Sequence, residues 1–298
     1  MRFRLLSAAA ICAVTGCAPR SGGAPPPLPS PGVVTLPAPV PPPANNTPVT
    51  RPSDLIRLGP SALRYVVHQL IHVEQQFQGQ TQVIDRGFRL FLAATISGPA
   101  DSAGYPLSFT LDSIVPDSGS AIPPTVNLAS ARGLRYSGRL TPAGEFRQTA
   151  TSDSALAQTF TQIVGGFRNF YPRLPPGGLA LGAEWTDTVT TSDRAGVDVT
   201  IKSVGHSRAP AWEQRTGTRC LRLEVSSAYT VVGAGEQGGQ PLEISGTGTR
   251  TGVYFLAVDG RYLGGEVSDT SAIVVGLPVQ GMTVPVRQVS HATIAVLP

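Results

Sequence analysis

Val197–Val204 reads VDVTIKSV and Arg219–Val231 reads RCLRLEVSSAYTV, and these two runs decide the fold class. In the first, Val197, Val199 and Ile201 fall on one side of an extended chain, and Asp198, Thr200 and Lys202 fall on the other. In the second, Leu221, Leu223, Val225, Tyr229 and Val231 point one way, while Arg222, Glu224, Ser226 and Thr230 point the other. A repeat of two is the strand repeat, and a strand with one apolar and one polar face belongs to an antiparallel sheet with one wet side. Outward from these runs lie further strand candidates at Arg64–Phe77, Val83–Ile96, Leu107–Val115, Leu134–Leu140, Trp185–Thr191, Leu242–Gly248, Thr249–Val258, Arg261–Val275 and Thr283–Val296. Leu63, Val66, Val67, Leu70 and Phe77 also fit a helix, but the crowding of Val, Ile and Tyr favours a strand there. Asp259-Gly260 predicts a two-residue type I′ hairpin, because that turn needs positive φ. Thr141-Pro142-Ala143-Gly144 fits a turn with Pro second and Gly fourth.

One segment breaks the pattern. Leu156, Phe160, Ile163, Val164 and Phe167 recur at helical spacing. They predict a single amphipathic helix over about 153–165, reaching toward 169, capped by Ser152 and ended by Gly165-Gly166 and Pro172. Its apolar stripe needs a sheet to cover. The expected fold is mainly β: one curved antiparallel sheet of about ten strands, a half-barrel or open barrel, with one amphipathic helix.

Composition agrees with that class. The chain has 298 residues, of which 14% are charged, with 33 Gly and 28 Pro. A coiled coil, a helical bundle or an acidic disordered chain would carry far more charge or more helix-forming residues. The net charge is +4, Lys202 is the one lysine, and the arginines are scattered, so no basic patch for nucleic acid is visible.

The first residues read as an address. Arg2 and Arg4 precede an apolar run from Leu5 to Val14, which is the layout of a secretory signal and too short to span a membrane. Val14-Thr15-Gly16-Cys17 resembles the bacterial lipobox. That resemblance implies removal of residues 1–16, diacylglycerol on the Cys17 thiol and a membrane as partner. With Ala18 after the cysteine, the family rule points to the outer membrane, facing the periplasm. Residues 17–52 then form a tether. The stretch from Ala18 to Pro52 holds 13 prolines in 35 residues and no apolar periodicity, a composition that favours extended polyproline II over a packed core. The remainder, 53–298, reads as a single domain. With Cys12 in the signal and Cys17 lipidated, Cys220 stands alone as a structural thiol. Its neighbours Arg219 and Arg222 are the one feature that could lower its pKa.

Chemistry-bearing motifs are sparse. No phosphate-binding loop, nucleophile elbow or other catalytic signature is visible, and no cofactor motif either, so no enzyme is expected. His68 and His72 are four apart. On a helix they could clamp a metal, but on a strand they are about 13 Å apart on one polar face. His206 reads as a loop residue beside Ser207, and His291 as an exposed strand residue. Gly246–Gly252 reads as a glycine-bearing strand at a bend or bulge. Trp185 and Trp212 read as core or rim packing.

The lipobox, the tether, the run of antiparallel strands and the single helix together resemble periplasmic lipoproteins of the LolA/LolB/LppX-like class, as does LPPGGLALGAEW at Leu174–Trp185. Such a resemblance implies a half-barrel with an apolar, helix-plugged concave side. Two expectations follow. Either the body binds a hydrophobic ligand, an acyl chain or lipid, with Leu156, Phe160, Ile163, Val164 and Phe167 as the plug, or its core is full and it is a non-enzymatic structural or interaction lipoprotein with a protein partner.

Overall fold

The computed structural model describes residues 55–121, 126–164, 167–194, 197–237 and 239–298. The proposed signal and tether, Cys17 included, lie outside the described residues. The body forms one antiparallel sheet of eleven strands: β1 (Ser61–Phe77), β2 (Gln80–Ile96), β3 (Tyr105–Pro116), β4 (Arg135–Leu140), β5 (Phe146–Thr151), β6 (Glu184–Arg194), β7 (Val197–Arg215), β8 (Thr218–Gln237), β9 (Gln240–Ala257), β10 (Tyr262–Leu277) and β11 (Met282–Val296). The order is β5-β4-β3-β2-β1-β11-β10-β9-β8-β7-β6, and the sheet does not close into a barrel. The ambiguous run at Leu63–Phe77 is therefore a strand, as expected. Two meanders run in opposite directions and join in the middle, where β1 pairs β11 from Tyr65↔Val296 to Gln75↔Val286.

Because β5 and β6 lie at opposite edges, the chain between them must cross the whole sheet. It does so through α1 (Ser154–Val164), the one α-helix among the described residues, a 3₁₀ turn at Phe167–Asn169 and the segment down to Ala183. This crossing covers one face and makes the main core. Phe160, Phe167, Phe170, Tyr171, Leu174 and Leu179 pack there against β2 and β3 on one side and against Ala209, Leu221 and Leu223 of β7 and β8 on the other. One core served by strands so far apart in the sheet is the sign of a curved sheet. Farther along the strands the same face carries two smaller clusters. Val73, Ile84, Val275, Val284 and Val286 form one, and Val231, Leu242 and Ile244 form the other, flanked by Val197, Val199 and Ile201. Between these and the main core lies a polar layer. There the Tyr229 hydroxyl donates to Asp269 Oδ1 at 2.7 Å and Arg250 Nε to Asp269 Oδ2 at 2.9 Å.

Several local expectations need correction. The helix cap is Asp153: the Leu156 N–H donates to its Oδ1 at 2.9 Å and the Ala157 N–H to its carbonyl at 3.0 Å. Ser152 is spent elsewhere, accepting the Arg135 N–H at 3.0 Å. At Asp259-Gly260 only Gly260 has positive φ (+84°), and its N–H bonds the Ala257 carbonyl. That is a type I turn followed by a left-handed glycine. Asp259 stays at negative φ and accepts the Arg261 N–H through Oδ1. The two-residue type I′ geometry occurs instead at Gln78-Gly79 (φ +51° and +76°) and Thr216-Gly217 (φ +47° and +77°). Gly246–Gly252 lies within β9 with unbroken register on both sides, so it holds no bulge. Its glycines make room for rings: a Cβ on Gly248 would strike Tyr229, and one on Gly252 would strike Tyr254.

Candidate functional site

The expected plug residues divide. Phe160 is 1% exposed and Phe167 is buried, while Leu156 is half-buried against the same core. The side chains of Ile163 and Val164 lie outside the described residues. Phe167 stacks on Phe109 with ring centroids 4.5 Å apart. Phe109 also meets Phe146 and Phe170 edge-on at 5.1 and 5.0 Å. Offset-stacked and edge-to-face contacts of this kind fill space at crystal-like density. The core covered by the crossing is filled by the protein's own aromatic rings.

The opposite face of the sheet carries an open groove of about 800 Å³ that spans β6 to β11. Strand register builds it from two cross-strand rows. In one, Glu184 sits beside Arg208, Arg208 beside Glu224, Glu224 beside Val253 and Val253 beside Glu266. In the other, the neighbours are Thr186, His206, Ser226, Thr251, Ser268 and His291. The groups are held by one another. Arg208 reaches Glu224 Oε2 at 2.6 Å, and Arg222 reaches Glu224 Oε1 at 2.8 Å. Thr186 Oγ1 lies 3.0 Å from His206 Nδ1, and Ser268 Oγ lies 3.0 Å from His291 Nδ1. Trp185 borders the groove at its β6 end while packing on the main core.

Two histidine readings change here. His206 is a residue of β7, not of a loop. The inward neighbours on that stretch are Gly205, Ser207 and Ala209, all buried, and Pro210 stands at a register shift between Arg208 and Ala211. Small residues and a proline hide the strand repeat. His291 is half-buried in the groove rather than fully exposed.

His68 and His72 do share the polar face of β1, but each serves its own carboxylates. His68 Nε2 lies 2.6 Å from Asp117 Oδ2, and Asp117 reaches it by passing over Gly87, where a Cβ would block the carboxylate. His72 Nδ1 lies 2.7 Å from Asp85 Oδ1 and its Nε2 3.3 Å from Glu74 Oε1. Hydrogen bonds to Asp85 first and Glu74 second hold the His72 pKa above its usual value. The hydrogen bond from His68 holds the Asp117 carboxyl below the usual carboxylate range. Among the described residues, no group of three or more His, Cys, Asp or Glu is placed to hold a metal. Cys220 is fully buried and its pKa is raised, chiefly by burial, so the arginine effect expected from sequence does not prevail. Arg219 lies over the Trp212 ring at 4.4 Å, and Arg222 pairs with Glu213 and Glu224. Trp185 and Trp212 are both packing residues at the core margin, as expected.

No family model matches the sequence, and no curated protein matches it. Among solved structures, Pseudomonas aeruginosa OccK2 (OpdF) aligns at 8% identity over 80% of this chain and 98% of that one, with a TM-score of 0.23. Salmonella typhi OmpF in complex with daunomycin aligns at 7% identity over 81% and 100%, with a TM-score of 0.25. Likenesses at this level carry no argument about this chain.

Proposed function

We propose that this chain is a lipid-anchored protein of the bacterial cell envelope, facing the periplasm from the outer membrane, whose β body is a non-enzymatic interaction module with a filled core. The observation that carries the second half is the packing under α1. Phe160 is buried in the main core, and Phe167 is locked against Phe109 and Phe170 there, in the space an acyl chain would need. The lipobox at Val14–Cys17 supports the first half. A proline tether suits such a role, since polyproline II advances about 3.1 Å per residue and holds a body away from a surface. The polar groove then faces outward for a partner while the helix side is closed.

Two measurements test this reading. Cys17→Ser should move the protein from the membrane fraction to the soluble fraction or stall its export, and a variant that stays membrane-bound after high-salt washing sinks the anchor. Titration of the wild-type chain with a fluorescent fatty acid should show no saturable uptake. Saturable uptake that Phe160→Ala alters would replace the filled-core module with an apolar-ligand carrier plugged by α1.

A further inference from the structure

We infer that the groove across β6–β11 is a binding site for an extended, uncharged or amino-sugar oligosaccharide. The inference rests on the interaction-module reading and names the chemical class of its partner.

Charge narrows the choice first. Glu184, Glu224 and Glu266 line the groove against one guanidinium within it, that of Arg208, and Glu224 is further tied to Arg222 from the margin. An anionic ligand would meet carboxylates on entering, and like charges brought together at an interface oppose binding. That argues against a fatty acid, a phospholipid headgroup or a nucleic acid strand.

Hydrogen-bonding character narrows it further. A sugar hydroxyl both donates and accepts, so it is best met by donors and acceptors standing side by side. The second row of the groove offers four hydroxyls: those of Ser226, Thr251 and Ser268 stand between the imidazoles of His206 and His291, and that of Thr186 stands beyond His206. A side-chain hydroxyl is itself donor and acceptor, and a neutral imidazole presents one nitrogen of each kind. The first row sets Arg208 donors directly beside Glu224 acceptors. These pairs are already fixed by one another, so little side-chain freedom is lost on binding. Val253, between Glu224 and Glu266 in the first row, adds an apolar patch between the polar groups, suited to the C–H face of a pyranose ring.

Dimensions agree. Neighbouring strands stand about 4.8 Å apart, so the six strands set polar groups at that interval over roughly 24 Å. That interval is close to the advance per residue of an extended β-linked glycan, and the length suits an oligosaccharide of a few units. A basic peptide is the competing occupant on charge alone. Its Lys and Arg side chains would use the hydroxyl row only as acceptors, because they only donate, whereas sugar hydroxyls also accept.

The test is calorimetric titration of the full chain in detergent micelles with tetra-N-acetylchitotetraose, with cellotetraose, with an anionic sulfated glycan and with an arginine-rich peptide. The neutral tetrasaccharides should bind saturably, and the sulfated glycan should not. Thr251→Val keeps a β-branched side chain in β9 and removes one groove hydroxyl, and Ser268→Ala does the same in β10 with little change of volume. Each should weaken binding about tenfold, and Thr110→Val, on β3 outside the groove, should leave it unchanged. Absence of tetrasaccharide binding at millimolar concentration, or binding that Thr251→Val and Ser268→Ala leave intact in correctly folded protein, overturns the assignment. Preference for the arginine-rich peptide overturns it as well. Fatty-acid uptake with no sugar binding would defeat the interaction-module reading together with this one. A chain that binds sugar yet fractionates as soluble would defeat only the membrane anchor.

Discussion

Replacing Phe160 by Ala is the perturbation that reports most directly on how the body is built. The side chain is 1% exposed and lies in the main core with Phe109, Phe167 and Phe170. Truncation of a buried Phe to Ala costs about 3–5 kcal/mol, the sum of lost transfer free energy and of a cavity that neighbours fill only in part. Little relief by collapse is expected here, because the aromatic rings of the same core are braced against one another: Phe167 stacks on Phe109 and meets Tyr136 edge-on at 5.0 Å. The expected loss therefore lies in the upper part of that range. Urea unfolding followed by tryptophan fluorescence would read it as a fall in midpoint with an unchanged slope, and thermal unfolding as a drop of about 2–4 °C per kcal/mol. A loss below about 1 kcal/mol would refute the reasoning, since it is far less than a cavity in a close-packed core costs.

Asp153→Ala should cost about 1 kcal/mol through loss of the helix cap, and thermal unfolding should place Ser152→Ala apart from it, because Ser152 serves the Arg135 N–H. Gly248→Ala should destabilise the body by about 1–3 kcal/mol although Ala suits a strand better than Gly, because the new Cβ displaces the Tyr229 ring from Asp269. Combining it with Tyr229→Ala should give clearly less than the sum of the two losses. For His72, an NMR titration should return a pKa above the ordinary 6.5, and Asp85→Asn should bring it down. A folded-state pKa raised in this way contributes stability that is fully present below pH 6.5 and is lost as pH rises through the raised value. The contribution is small because the imidazole is 41% exposed.

What could be read from the chain alone depended on how loudly each face speaks. Leu221, Leu223 and Val231 all point into apolar clusters, because large apolar groups alternate with charged ones there and the repeat is unambiguous. On β7, beyond Gly205, the strand continues with Ser207 and Ala209 facing inward, and at that point hydrophobicity no longer distinguishes the faces. β5 was missed for a related reason: only Phe146 of its six residues is buried, so it offers one apolar anchor and no alternation. The turns at Gln78-Gly79 and Thr216-Gly217 escaped because Gln and Thr are poor advertisers of positive φ. Asp259-Gly260 advertised the wrong turn, since Asp accepts either sign and the side-chain bond to Arg261 decides. The helix stripe was legible as a stripe, but the burial of Phe160 and Phe167 in the main core requires knowing that the β5–β6 connection crosses the sheet. The groove was illegible. Its members come from six strands, and only register brings Thr186, Thr251 and His291 into one row.

The pairing of β1 with β11 bears on how the body is made. These strands come from the two ends of the body and meet in the middle of the sheet, from Tyr65↔Val296 to Gln75↔Val286. During synthesis the β1–β2 hairpin emerges first and closes locally. Its free β1 edge then waits for a partner that is made last. Contacts so distant in sequence are slow to form, and an open edge of that length is a template for wrong pairing while it waits. His68, His72 and Glu74 put ionisable groups along that edge, and charges of this kind discourage strangers from pairing. Once β11 arrives, the same junction is a clasp between the two meanders: a chain cut short before Met282 would keep both halves and lose the seam that makes them one sheet.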